Sequence, residues 1–192
     1  MNQEIEIEFK NLLLKSEFDR LADAFSISGE EYIRQENHYF DTHSFDLKEK
    51  NSALRIRQKN GVYVLTLKQP AQEGLLETNH PLTREEAHNM LDGLPMPKGM
   101  IYDILAETGI LPESVQLFGT LSTERAERVY KSGLLVLDHS FYLNQEDYEV
   151  EYEVSDKMVG QVIFSQLLKS LKIPYRTTEN KVRRFYRAKF NS

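Results

Sequence analysis

The chain has no cysteine, which excludes disulfide scaffolds, thiolate metal sites and cysteine nucleophiles. Glycine and proline are sparse, nine and six in 192 residues, too few for a collagen-like or low-complexity polymer. No apolar run exceeds a few residues, so no stretch reads as a membrane-spanning helix. The opening MNQEIEIEFK is too acidic for a signal or transit peptide, and a cytoplasmic location is expected. No GxxxxGK[ST] loop occurs, which removes the P-loop enzymes. What remains is an ordinary globular mix, 40% hydrophobic and 28% charged, of a length that suits a single domain over 1–192.

Charge is unevenly spread. Residues 169–192 carry eight Lys or Arg against one acid, Glu179, a surplus of +7 on a chain whose net charge is −6; the first 168 residues therefore carry −13. An acidic body is a poor generic DNA binder, and no DNA partner is expected. A basic C-terminal segment on that body implies internal pairing or an anion held at a chosen place.

Period-2 alternation dominates the pattern. Glu4-Ile5-Glu6-Ile7-Glu8-Phe9-Lys10 predicts a strand with one apolar and one charged face. Further strands are predicted at about 32–41, 52–59, 62–69, 74–81, 115–131, 134–143 and 147–155. Helices are predicted from a Ser16 cap to about Phe25, from the Thr83/Glu86 capping box to about Leu91, and over 98–108, 157–172 and 179–190. Eight strands joined mostly by short turns predict antiparallel neighbours. With one charged face each, they either turn those faces to water or curl into a small closed barrel.

Asn60-Gly61 is a strong hairpin signal. A two-residue loop there pairs Lys59 with Val62, Arg57 with Val64 and Arg55 with Thr66. It puts Arg55, Arg57, Lys59, Thr66 and Lys68 on one face, with Leu54, Ile56, Tyr63, Leu65 and Leu67 on the core face. A turn at Ser132-Gly133 and a four-residue loop at 144–147 would pair Glu127 with Asp138, Arg125 with Ser140 and Tyr142 with Glu149. Arg125, Asp138, Glu149, Glu151 and Glu153 then share a face.

Glu4, Glu6 and Glu8 recur on one face at about 6.6 Å spacing, and Glu149, Glu151 and Glu153 repeat the pattern. Like charges in a row repel unless solvated, paired or metal-bound. Carboxylates without His or Cys partners suit a hard cation, Mg²⁺ or Mn²⁺. The basic rows, Arg55 and Arg57 with Lys68 and Lys10, suit phosphate oxygens. The two readings are a metal–polyphosphate site and a network of ordinary salt bridges. His38, His43, His80, His88 and His139 show no ligand spacing and read as structural or exposed. Ser140 reads as a satisfied strand serine, and Tyr148, Tyr152, Phe141, Phe118 and Phe164 as core.

Glu6-x-Glu8-x-Lys10 resembles the E-x-E-x-K signature of the CYTH proteins, the triphosphate tunnel metalloenzymes. Tyr39-Phe40-Asp41-Thr42, Ala53-Leu54-Arg55-Ile56-Arg57 and Leu65-Thr66-Leu67-Lys68 follow in the family's order. Thr123-x-Arg125, Leu137-Asp138 and Glu149-x-Glu151-x-Glu153 resemble its second-half motifs, and the whole is most similar to the YjbK-type bacterial branch. The resemblance implies an α+β, mainly antiparallel fold: an eight-stranded closed β-barrel or tunnel with helices packed outside. It implies a metal-dependent phosphohydrolase acting on a small triphosphate inside that tunnel. The alternatives are a class IV-type adenylate cyclase and a non-catalytic polyphosphate- or nucleotide-binding module. Mg²⁺ or Mn²⁺ would be held by Glu6, Glu8, Glu77, Asp138, Glu151 and Glu153. Lys10, Arg55, Arg57, Lys68, Arg125 and Lys181 would bind substrate, with Glu151, Glu153 and Lys10 catalytic. The expected partner is the triphosphate, with no membrane; a monomer and a homodimer both stay open.

Overall fold

The structure, a computed structural model, describes residues 2–190. Its eight strands are β1 (Asn2–Leu13), β2 (Ile33–Asp41), β3 (Ala53–Lys59), β4 (Val62–Pro70), β5 (Leu75–Leu82), β6 (Gln116–Tyr130), β7 (Gly133–Tyr142) and β8 (Gln145–Val154). The helices are α1 (Lys15–Ala24), α2 (Asp46–Glu49), α3 (Arg84–Leu91), α4 (Met100–Glu107), α5 (Lys157–Ser170) and α6 (Lys181–Phe190). The hydrogen-bonded strand order β1-β5-β4-β3-β2-β6-β7-β8 closes on itself, an eight-stranded antiparallel barrel. The described residues divide into two compact units, one of residues 2–5 and 35–121, the other of 6–34 and 122–190.

In the first unit, Asn60 and Gly61 take left-handed φ of 51° and 77°, and the predicted hairpin register is found: Lys59 opposite Val62, Arg57 opposite Val64, Arg55 opposite Thr66, Ala53 opposite Lys68. Leu54, Ile56, Leu65 and Leu67 are sealed and pack with Ala87 and Met90 of α3 and Ile101 and Leu105 of α4. The alternation in the sequence thus becomes one helix-covered face and one face carrying Arg55, Arg57, Thr66 and Lys68. Thr83 caps α3 as expected: its hydroxyl accepts from Glu86 N at 3.1 Å, and Glu86 accepts from Thr83 N at 2.8 Å. Asp41 is buried because it accepts from the backbone N–H groups of Thr42, Leu47 and Lys48, so it closes the turn into α2.

In the second unit the helix-covered face holds Leu135, Leu137, Val150 and Tyr152, packed against Phe18 and Leu21 of α1 and Phe164, Leu167 and Leu168 of α5. Phe118 in the first unit is buried as expected, whereas Phe141 and Tyr148 are only half-buried, flanking the His139 ring. Ser16 does not cap α1. Leu14 occupies that place, and Glu17 accepts its N–H at 2.8 Å.

Both predicted registers in this unit are corrected. The β6–β7 loop is Lys131-Ser132, so Arg125 faces Asp138 rather than Ser140, and Glu127 faces Val136. The β7–β8 loop is Leu143-Asn144, so Tyr142 faces Gln145, and Asp138 faces Glu149. The reason is local. Lys131, Leu143 and Asn144 adopt left-handed φ without glycine, whereas Gly133 lies in the strand. A Cβ on Gly133 would meet Glu153 O at 2.5 Å and the Tyr152 ring at 2.8 Å, so this glycine serves close packing and not the turn. Both slips are even, so every residue kept its face and only its partner changed.

A candidate metal and phosphate site

The second unit brings most of the predicted residues onto the face of its sheet opposite the helices. Across β1 and β8, Glu8 faces Glu153 and Lys10 faces Glu151; across β8 and β7, Glu149 faces Asp138; across β7 and β6, Asp138 faces Arg125. Arg125 forks onto Asp138, Nε to Oδ1 at 2.7 Å and Nη2 to Oδ2 at 2.6 Å, and also reaches Glu151 at 2.8 Å. Thr123 and Ser140, one step along the same face, are buried and hydrogen-bond each other at 3.2 Å, which satisfies Ser140 within the sheet.

The C-terminal basic segment pairs with the body's acids. Lys181 enters the row and contacts Asp138, Glu149 and Glu151. Arg184, which sequence reasoning missed, contacts Glu149 at 2.6 Å and Asp147 at 3.0 Å. A lysine and an arginine three apart on a basic helix were the available signal, because that spacing puts both on one side. Ahead of α6, Arg176 clamps Glu17 at 2.8 Å, and its backbone N–H donates to buried Asn11.

Titration follows from this crowding. Burial opposes charge on Asp138 and Glu151, yet the adjoining Arg125 and Lys181 win and hold both carboxyls below their ordinary range. Burial pushes Glu149 up, with Lys181 opposing and Glu151 adding. Glu153 is pushed up to about 7, first by burial and then, against the pull of Arg125, by Glu151, Glu6 and Glu8. Lys10 pairs with Glu8 and donates to Asn180 Oδ1 at 2.8 Å; burial works against its charge, but Glu8, Glu151 and Glu149 raise its pKa. Lys181, Arg125 and Arg184 are packed among Asp138, Glu149 and Glu151, whereas at the Glu6–Glu8–Glu153 end Lys10 pairs with Glu8 and Arg125 stands 3.9 Å from Glu153.

The first unit places the other predicted cations. Arg55, Arg57 and Lys68 share one face, Lys68 is paired with its cross-strand neighbour Glu77, and Arg57 Nε donates to Asn37 Oδ1 at 3.2 Å. Thr66 donates to Asn79 at 2.6 Å, and Asn79 to Glu4 at 3.3 Å. None of the histidines joins either set. His38 meets Thr120, His88 meets Tyr63, His139 meets Glu146, and His43 is exposed.

Among the described residues, no three His, Asp or Glu side chains stand as a ready-made metal-binding group. Lys10 pairs with Glu8, and Lys181 with Asp138, Glu149 and Glu151. The donor chemistry still fits a hard divalent ion at one end. Glu6, Glu8 and Glu153 offer only carboxylate oxygens, the donors such an ion takes, and Glu6 and Glu8 act on the Glu153 carboxyl, which burial raises.

A closed eight-stranded antiparallel sheet with E-x-E-x-K on its first strand and E-x-E-x-E on its last defines a class, and the chain belongs to it: residues 4–186 match the CYTH domain family. The match runs through both compact units. Over 192 residues, the whole of both chains, the protein is 50% identical to "Putative triphosphatase YjbK" of Bacillus subtilis (strain 168), in keeping with the YjbK-type branch. It superposes with a TM-score of 0.94 on a Bacillus halodurans crystal structure described as a "putative adenylate cyclase", at 45% identity, covering 97% of this chain and 100% of that one. It also matches the Hippeastrum protein HpAC1, at a TM-score of 0.78, 27% identity and 95% of each chain. That protein is described as a "putative adenylyl cyclase" that reveals a dominant triphosphatase activity. Among the described residues, no helix is long and apolar enough to cross a membrane.

Proposed function

We propose that the protein is a divalent-metal-dependent triphosphatase acting on a small triphosphate. The carrying observation is the facing carboxylate pair Glu8–Glu153, with Glu6 two residues along the same strand face and the Lys10 ammonium paired with Glu8. The names carried by the Bacillus subtilis and Hippeastrum relatives support the same reading. Glu6, Glu8 and Glu153 would hold the ion, Mg²⁺ or Mn²⁺. When bound, it would neutralise phosphate charge and lower the pKa of the attacking water. Lys10, kept protonated by its carboxylate neighbours, would meet a phosphate oxygen as a point charge. Within the first unit, Arg55, Arg57 and Lys68 carry the chemistry of phosphate ligands on one strand face; a guanidinium takes two oxygens in a fork and lysine acts as a point charge. Glu151 stays ionised and anchors Arg125, fixing the guanidinium through three contacts that include both Asp138 oxygens.

Purified protein incubated with Mg²⁺ or Mn²⁺ and inorganic triphosphate, ATP or thiamine triphosphate should release orthophosphate, and Glu8→Gln should abolish this while preserving the fold. Cyclic AMP with pyrophosphate from ATP would instead assign a cyclase. Absence of any product with all three substrates would leave a binding module.

A further inference from the structure

Within the second unit, the Lys10 ammonium is held from two sides. It pairs with Glu8, and its Nζ donates to Asn180 Oδ1 at 2.8 Å; among the described residues these are its two hydrogen-bond acceptors. Asn180 comes from the other end of the chain, and a set of side-chain bonds brings it there. Asn11, fully buried next to Lys10 on β1, donates to Pro174 O at 3.2 Å and accepts from Arg176 N at 2.6 Å. Leu12 N donates to Thr178 Oγ1 at 2.9 Å, and Arg176 Nη1 to Leu12 O at 3.0 Å. Residues 174–178 are thereby laced to the end of β1. The Asn180 backbone oxygen then accepts from Arg183 N at 2.9 Å and Arg184 N at 3.1 Å, where α6 starts, while its side chain turns to Lys10. The amide presents its oxygen there, because an ammonium only donates.

We infer that Asn180 is a positioning residue for Lys10. A lysine ammonium carries three N–H donors. Glu8 and Asn180 take one each, and with two directions fixed the third is fixed as well, aimed at a phosphate oxygen of the substrate. The inference rests on the proposed triphosphatase reading, in which Lys10 meets phosphate. With Glu8 alone the ammonium could swing about a single contact. Removing the Asn180 oxygen therefore keeps the charge of Lys10 and loses its aim. Charge without aim still attracts a bound triphosphate, whereas an aimed donor counts most when charge builds on the oxygen in the transition state.

The test follows orthophosphate release from inorganic triphosphate by the full chain with Mn²⁺. Asn180→Leu, of similar size but without the acceptor, should lower kcat by about tenfold or more and keep KM within about twofold. Asn180→Asp keeps an oxygen for the ammonium but offsets its charge, so it should show the opposite split, with kcat nearly kept and KM raised. In a Lys10→Met background, Asn180→Leu should change nothing further, since it acts through Lys10 alone. The inference fails if Asn180→Leu has wild-type kcat, if the leucine and aspartate variants lose kcat alike, or if the leucine effect persists in the Lys10→Met background. The crossed split between leucine and aspartate decides the matter even where Lys10→Met leaves too little activity to measure. A wild-type chain that releases no orthophosphate would overturn the triphosphatase reading and this inference with it, whereas an active wild type with an unaffected Asn180→Leu overturns this inference only. Circular dichroism on each variant separates loss of fold from loss of aim.

Discussion

Replacing Glu153 with glutamine should stabilise the metal-free protein at pH 8 far more than at pH 5. In the folded state its carboxyl titrates at about 7, against 4.5 for an ordinary glutamate. The unfolded chain therefore sheds this proton first, and between about pH 4.5 and 7 the folded state binds more protons than the unfolded one. Linkage then requires stability to fall as pH rises through that window and to be fully restored below it. At about 1.36 kcal/mol per pKa unit the ionised carboxylate costs the fold about 3 kcal/mol at pH 8 and about 1 kcal/mol at pH 5. Glutamine removes both costs and gives up only the 3.9 Å contact with Arg125. The side chain is 31% exposed, so after solvent screening the gain at pH 8 should exceed that at pH 5 by about 1–2 kcal/mol. That corresponds to roughly 2–8 °C in melting temperature for a chain of this size. The assay is a series of thermal melts in EDTA at pH 5, 6, 7 and 8 and constant ionic strength. A variant-minus-wild-type difference that is flat with pH, or negative at pH 8, would refute the raised Glu153 carboxyl. Excess Mg²⁺ or Mn²⁺ should then stabilise wild type at pH 8 and leave Glu153→Gln little changed.

Gly133→Ala should lower stability by roughly 1–3 kcal/mol, because its methyl meets Glu153 O and the Tyr152 ring; an unchanged urea midpoint would contradict that close approach. Arg184→Met leaves Glu149 buried with one cation fewer and should cost about 3–5 kcal/mol, and adding Glu149→Gln should recover much of the loss in a double-mutant cycle. Thr83→Ala should cost about 1 kcal/mol in chemical denaturation through loss of the α3 cap. Arg57→Ala should weaken triphosphate binding by about tenfold or more, since a charge-assisted bond contributes roughly 1.5–3 kcal/mol, whereas Lys59→Ala, next to the turn, should change little; calorimetric titration distinguishes the two, and equal effects would remove Arg57 from the phosphate-binding set.

The face of each strand was legible from alternation alone. Leu54, Ile56, Leu65 and Leu67 had to be covered, and Arg55, Arg57 and Lys68 had to lie opposite. The Asn60-Gly61 hairpin was readable to the residue because two left-handed positions favour that dipeptide. The turns at Lys131-Ser132 and Leu143-Asn144 were not, because their left-handed residues are ordinary ones and the nearby Gly133 was a better turn candidate by type. Short α2 also escaped, since its start depends on the buried Asp41 carboxylate and its own four residues carry no period.

The amino-acid order determines which side chains share a strand face, because the backbone repeat of two permits no other arrangement once one face is apolar. It thereby placed the acids Glu6, Glu8, Asp138, Glu149, Glu151 and Glu153 and the cations Lys10 and Arg125 in rows. It could not say which cation neutralises which acid. Lys181 reaches Glu149 over 32 residues of chain, and Arg176 reaches Glu17 over 159. Such pairs are set by where the elements pack, and Coulomb attraction depends on that separation in space and on burial, not on separation along the chain. Tertiary structure alone therefore decided that Lys181 and Arg184 pair with Asp138, Glu149 and Asp147, and that burial raises the Glu153 carboxyl at the other end of the row.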